Sequence, residues 1–83
     1  MKTSKQNLYK SFRALLSKNF ELPRHCKNTH QIRFYMRELQ SYIQYYRHTF
    51  EYVPNIAFYL MSEYKKVMSI NQKKEYLLNA FTK

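Results

Sequence analysis

Residues 28–50 read NTHQIRFYMRELQSYIQYYRHTF. At a helical period, Ile32, Met36, Leu39, Ile43, Tyr46 and Phe50 return every three or four positions and form one apolar stripe. Asn28 or Thr29 offers the side-chain oxygen that opens such a helix. A single amphipathic helix of this kind is not stable alone in water; its stripe has to be covered by other elements.

The flanking sequence offers two covers. Upstream, Leu8, Phe12, Leu15 and Leu16 keep helical spacing with Tyr9 at the edge, which predicts a first helix from about residue 4 to 18. Thr3 to Gln6 forms a possible capping box, and Asn19 is a plausible stop. Residues 20–28 are expected to be a loop, because Pro23 breaks a helix and Arg24, His25 and Lys27 are polar. Downstream, Pro54 suits the first turn of a third helix. Its inner face is Ala57, Leu60, Tyr64 and Val67, with Met61 and Met68 beside them. Ser69 to Gln72 is a second possible capping box. It leaves two readings open: a short fourth helix carrying Tyr76, Leu77, Leu78 and Phe81, or one continuous helix to Phe81. The expectation is an all-α, antiparallel three-helix bundle spanning residues 1–83 as a single domain, with the second helix the longest.

Composition narrows what such a bundle can do. The chain has 83 residues, a length at which core burial alone supplies roughly 3–5 kcal/mol. Cys26 is the only cysteine, so no internal disulfide adds to that. There is no glycine, which excludes the Walker loop, the dinucleotide fingerprint and the nucleophile elbow. The net charge is +10, and the five acidic residues (Glu21, Glu38, Glu51, Glu63, Glu75) are dispersed. A field this positive favours an acidic partner. Nine tyrosines and six phenylalanines exceed what so small a core can hide, so some belong at interfaces. No apolar run approaches the ~20 residues that span a bilayer. The first twenty residues carry Lys2, Lys5, Lys10, Arg13 and Lys18 and no acid, the character of a mitochondrial targeting segment. That segment also holds core positions, so it is expected to be retained.

Polar faces give the candidate sites. On the second helix Arg33, Arg37, Gln40, Gln44 and Arg47 form a stripe beside the core. On the first, Tyr9 and Arg13 stack one turn apart next to Lys10. Antiparallel packing of these two helices would set both stripes on one basic surface. All five arginines fall between residues 13 and 47, and Arg suits forked recognition of carboxylate or phosphate. Phe34 and Tyr45 lie opposite the core stripe of the second helix, and Phe58 opposite that of the third, which suggests a second, apolar interface. His25, Cys26 and His30 cluster in the first loop, but a zinc site lacks its fourth ligand, with His48 a helix away. A Cys–His nucleophilic pair there has nothing to orient the base. No catalytic residue and no metal ligand is assigned, and the chain is read as a non-enzyme.

Leu8-Tyr9-Lys10 at the opening of the first helix, Arg13 one turn on, and Ile32-Arg33-Phe34-Tyr35-Met36-Arg37 in the second resemble the LYR-motif proteins of mitochondria. In that family the first helix carries Leu-Tyr-Arg or Leu-Tyr-Lys, and the second an Ile-Arg-x-x-Phe-Arg-like segment. The resemblance covers roughly residues 6–40 and departs at Lys10, where Arg is commoner, and at Met36, where Phe is expected. It implies a three-helix accessory subunit or assembly factor that binds the acidic mitochondrial acyl carrier protein. The carrier's acyl-phosphopantetheine arm then inserts into the bundle, and no cofactor is bound directly. By the same resemblance Tyr9, Lys10, Arg13, Arg33 and Arg37 would face the carrier. Leu8, Phe12, Met36 and Leu39 would line the acyl tunnel, and Phe34, Tyr45 and Phe58 are left for the host complex. The implied place is the mitochondrial matrix or the matrix face of the inner membrane. The host would be a respiratory complex, the ATP synthase, the iron–sulfur desulfurase or the mitochondrial ribosome.

Two other classes compete. A basic helical RNA-binding or ribosome-associated protein would set Lys and Arg on phosphates and stack Tyr on bases. A peripheral membrane protein would lay its basic, amphipathic first helix on the bilayer.

Overall fold

A computed structural model describes residues 4–81, and the side chains of residues 4–78. The element order is α1 (Lys5–Asn19), a 3₁₀ turn (Pro23–His25), α2 (Thr29–Phe50) and α3 (Asn55–Phe81). The described residues contain three α-helices and no strand, and the fold is an all-α, antiparallel three-helix bundle.

Each helix starts and stops for a local reason. Ser4 caps α1, its side chain accepting from the Asn7 amide at 3.2 Å. The expected Thr3 box begins outside the described residues. α1 ends at Asn19, as its stop signal implied, and the backbone turns extended at Phe20. Asn28 rather than Thr29 caps α2: its Oδ1 accepts from the Gln31 amide at 2.8 Å, and Gln31 Oε1 accepts from the Lys27 amide at 2.7 Å. Thr29 instead turns inward and donates its hydroxyl to the Glu75 carboxylate on α3. α2 closes on Glu51 in the left-handed region (φ 53°, ψ 29°), its amide donating to the Arg47 carbonyl at 3.1 Å. Pro54 precedes α3 and its carbonyl accepts the Ala57 amide at 3.0 Å. α3 then runs unbroken through Ser69–Gln72, so the continuous alternative holds. At 27 residues α3, not the 22-residue α2, is the longest helix.

The core is one apolar cluster drawn from all three helices: Leu8, Phe12 and Leu16 from α1, Ile32, Leu39, Ile43 and Tyr46 from α2, and Ala57 and Tyr64 from α3. Phe12 and Tyr46 meet edge to face at 5.0 Å, a geometry that contributes about 0.5–1.5 kcal/mol beyond area burial. The Ser11 and Tyr46 hydroxyls also lie 3.4 Å apart. These contacts set α1 against the C-terminal half of α2. Beyond Asn19, Phe20 packs on Tyr35 at 5.8 Å and Tyr42 at 5.9 Å. The Glu21 carbonyl then accepts the Tyr64 hydroxyl, which lashes the connecting segment to α3. The N-terminal half of α2 is therefore covered by segment 20–28 and not by α1. The bundle is a rod of 61 × 20 × 15 Å. Its far end is α3 alone, because Glu75 already sits level with Thr29, the first residue of α2.

Candidate functional site

The bundle positions α1 so that its two flanks do different work. Ser11 and Leu15 face α2, where Leu15 borders a hollow with Glu38, Tyr42 and Tyr45. The other flank, bearing Arg13, faces α3 across an open groove of about 420 Å³. The groove walls are Leu16, Phe20 and Leu22 on one side and Ile56, Tyr59 and Leu60 on the other. Arg13 and Glu21 are its charged lining residues. A concave, mostly apolar slot of this size with few polar groups is the usual form of a small-molecule site.

Helix α1 thus delivers the Leu8-Tyr9-Lys10 motif in two parts. Leu8 is 4% exposed and anchors the helix in the core, while Tyr9, Lys10 and Arg13 remain at the surface. Of the residues assigned to an acyl tunnel between α1 and α2, Phe12 and Leu39 are fully buried. Met36 is half-buried. Leu8, Phe12 and Leu39 belong to the packed core, and the open groove lies one helix face away, between α1 and α3. Sequence reasoning did not single out Phe20, Leu22, Ile56 or Tyr59 as a site. The available signal was Phe20 and Leu22, two large apolar side chains at the start of the 20–28 loop.

The structure does not bring the two basic stripes together. Tyr9 and Lys10 precede Ser11 and Phe12, which lie level with Tyr46. Arg33 is thirteen residues before Tyr46, which is about 20 Å along the helix. Arg33 also follows Thr29 by one turn, on the edge of α2 that adjoins α3. The 15-residue α1 is too short to reach that level. Arg47, beside Tyr46, is the arginine of that stripe level with α1. Among the described residues the one ion pair is Lys66–Glu63 at 3.4 Å, so Arg13, Arg33 and Arg37 project their charge without a carboxylate partner there.

The outward aromatics are where their helical phase put them: Phe34 is 54%, Tyr45 56% and Phe58 46% exposed. Tyr45 leans edge-on against Tyr46 and Phe50, and Phe34 against Tyr35. In the connecting segment the Cys26 thiol donates to the Leu22 carbonyl at 3.7 Å. Burial, and then the Glu21 carboxylate, push its pKa up, which favours the weakly nucleophilic thiol over the thiolate. Among the described residues no three His, Cys, Asp or Glu side chains gather as a metal site. No described helix is long and apolar enough to cross a membrane. No family model matches the chain, and no curated protein or solved structure matches it.

Proposed function

We propose that this chain is a non-catalytic LYR-like adaptor that docks an acidic acyl carrier protein onto a larger mitochondrial complex, in the matrix or on the matrix face of the inner membrane. The observation that carries the reading is the open apolar groove beside Arg13, on the helix that bears Leu8-Tyr9-Lys10. An acyl chain is the ligand such a slot suits, and the Arg13 guanidinium at its edge suits the phosphate of the phosphopantetheine arm that delivers it. The arm enters beside Arg13, and the acyl chain lies between α1 and α3 before it displaces any residue of the packed core. Tyr9, Lys10 and Arg13 grip the carrier at the groove, and Arg37 and Arg33, nine and thirteen residues before Tyr46, form a second contact about 14–20 Å away along the rod. Phe34, Tyr45 and Phe58 are then free for the host complex. Bound ligand stabilises a core this small by mass action.

The test is co-expression with a carrier, followed by native mass spectrometry of the intact complex. The expected companion is a small acidic protein bearing an acylated phosphopantetheine. Acylated carrier should bind more tightly than unmodified carrier and raise the melting temperature more. Equal affinity and equal stabilisation by the two forms would remove the acyl chain from the mechanism. Binding of RNA with a steep salt dependence, and no carrier, would favour the nucleic-acid reading instead.

A further inference from the structure

The apolar face of α1 is spent in the core, where Leu8, Phe12 and Leu16 are buried, so α1 cannot lie on a bilayer with that face. The free apolar surface is at the opposite end of the rod. Among the described residues, no helix neighbours α3 past Glu75. There Tyr76, Leu77 and Leu78 are 75%, 54% and 65% exposed, and Ile70, two turns back, is 53% exposed. Three consecutive helical residues span about 200° of the helix circumference, so the apolar surface wraps the tip and is not a single stripe. A helix end that is apolar on most sides has to be covered by something. One turn back stand Lys73 and Lys74, both exposed, about 100° apart around the helix. The acid nearest them, Glu75, is engaged by the Thr29 hydroxyl. Glu63 is paired with Lys66. The Thr29 hydrogen bond leaves the Glu75 carboxylate charged, so Lys73 and Lys74 outnumber it and the three residues together carry a charge of +1.

We propose that the C-terminal tip of α3 seats in the interface of an anionic lipid bilayer, with Tyr76, Leu77 and Leu78 among the upper acyl carbons and Lys73 and Lys74 on the headgroups. The chemistry of each part fits that occupant. Tyrosine has an apolar ring and a wet hydroxyl, the combination enriched at the membrane–water boundary. Lysine stems extend along apolar surface while the ammonium groups stay with lipid phosphates. Each lysine near an anionic leaflet contributes about 1 kcal/mol, about fivefold in partitioning. This contact needs neither the groove nor the motif of α1, so it stands apart from carrier docking.

The chain has no tryptophan, so Tyr76→Trp places a single reporter at the tip. With the 83-residue chain and vesicles containing phosphatidylglycerol, its emission should shift to the blue and the protein should co-sediment. Vesicles of phosphatidylcholine alone should bind at least tenfold more weakly. Tyr45→Trp, on α2, should show no shift. Lys73→Glu with Lys74→Glu should lower binding by about 25-fold or more. Leu77→Ser with Leu78→Ser should lower it about tenfold or more while leaving helical content unchanged, since these side chains are exposed. Equal binding to both lipids, or full binding by the Leu77/Leu78 double variant, would overturn the proposal. So would a blue shift elicited by an acidic protein partner and not by anionic vesicles.

Discussion

Tyr64 ties the connecting segment to the core, and its chemistry is pH-dependent. The side chain is fully buried, stacked on Tyr35 at 6.1 Å and 15°, and donates its hydroxyl to the Glu21 carbonyl. Burial, then the neighbouring Cys26, Tyr35 and Glu21, raise its pKa above the ordinary tyrosine value of 10.0. The folded state thus disfavours the phenolate, which would be a buried charge and could no longer donate to Glu21. Because the folded pKa is the higher one, the contribution of Tyr64 is fully present below pH ~10 and is lost as the pH rises past that value. At neutral pH Tyr64→Phe is expected to cost about 1 kcal/mol in urea unfolding, the net value of one hydrogen bond. Repeated at pH 10.5, the wild-type advantage should shrink by roughly 1 kcal/mol. An advantage that does not change with pH would mean that the phenol is not the group responsible.

The helices show which features a linear sequence encodes. Their existence and inner faces were legible because period alone decides them, and Leu8, Phe12, Ile32, Leu39, Ile43 and Tyr64 are all core. Their ends were less so, since a terminus depends on what neighbouring elements offer. Thr29 was an equal candidate for the α2 cap until Glu75, 46 residues away, took its hydroxyl. The box at Ser69–Gln72 leaves a break and a continuous helix equally open, and the contact at Glu75 anchors the continuous α3 beyond it. The stripe of α2 ends at Phe50, where the helix ends, but the geometry of that stop was not legible: Glu51 adopts a left-handed conformation in a chain with no glycine. That conformation costs a residue with a Cβ about 1–2 kcal/mol, and glycine gives back part of the gain through its larger unfolded-state entropy. Glu51→Gly is therefore expected to raise stability by roughly 0.5–1 kcal/mol. A loss of stability on denaturant unfolding would show that the Glu51 side chain contributes something its geometry does not display. At the other end of α2, Asn28→Ala should cost about 1 kcal/mol.

At the scale of the molecule, the offset of α1 along the rod determines the sites. Segment 20–28 carries the chain on past the end of α1 before α2 begins and turns back, so Ser11 and Phe12 meet the C-terminal half of α2 while Arg33 and Arg37 lie nearer its start. Helical phase gives the angle of a side chain around its own axis but says nothing of how far one helix is displaced along the next. For this reason the exposure of Tyr9, Arg13, Arg33 and Arg37 on their helices was legible and their separation along the rod was not. The separation can be measured. Charge reversal at Arg13 and at Arg33 should weaken carrier binding additively, to within about 0.5 kcal/mol, as expected of sites that share no partner group. A strongly non-additive cycle would return them to one contact. The same offset has a kinetic consequence. α2 and α3 are joined by residues 51–54 alone and pair as far as Glu75, so their amides over that stretch should be the slowest in the molecule to exchange with deuterium. α1 buries its three core residues against that hairpin and is held at its end by Phe20 and the Glu21 carbonyl. Its amides should exchange by a partial opening of lower free energy than global unfolding. In that open species the α2–α3 hairpin persists while the inner walls of the groove are bare. A long apolar ligand then needs no preformed tunnel, because it enters as one helix lifts and is enclosed when that helix returns.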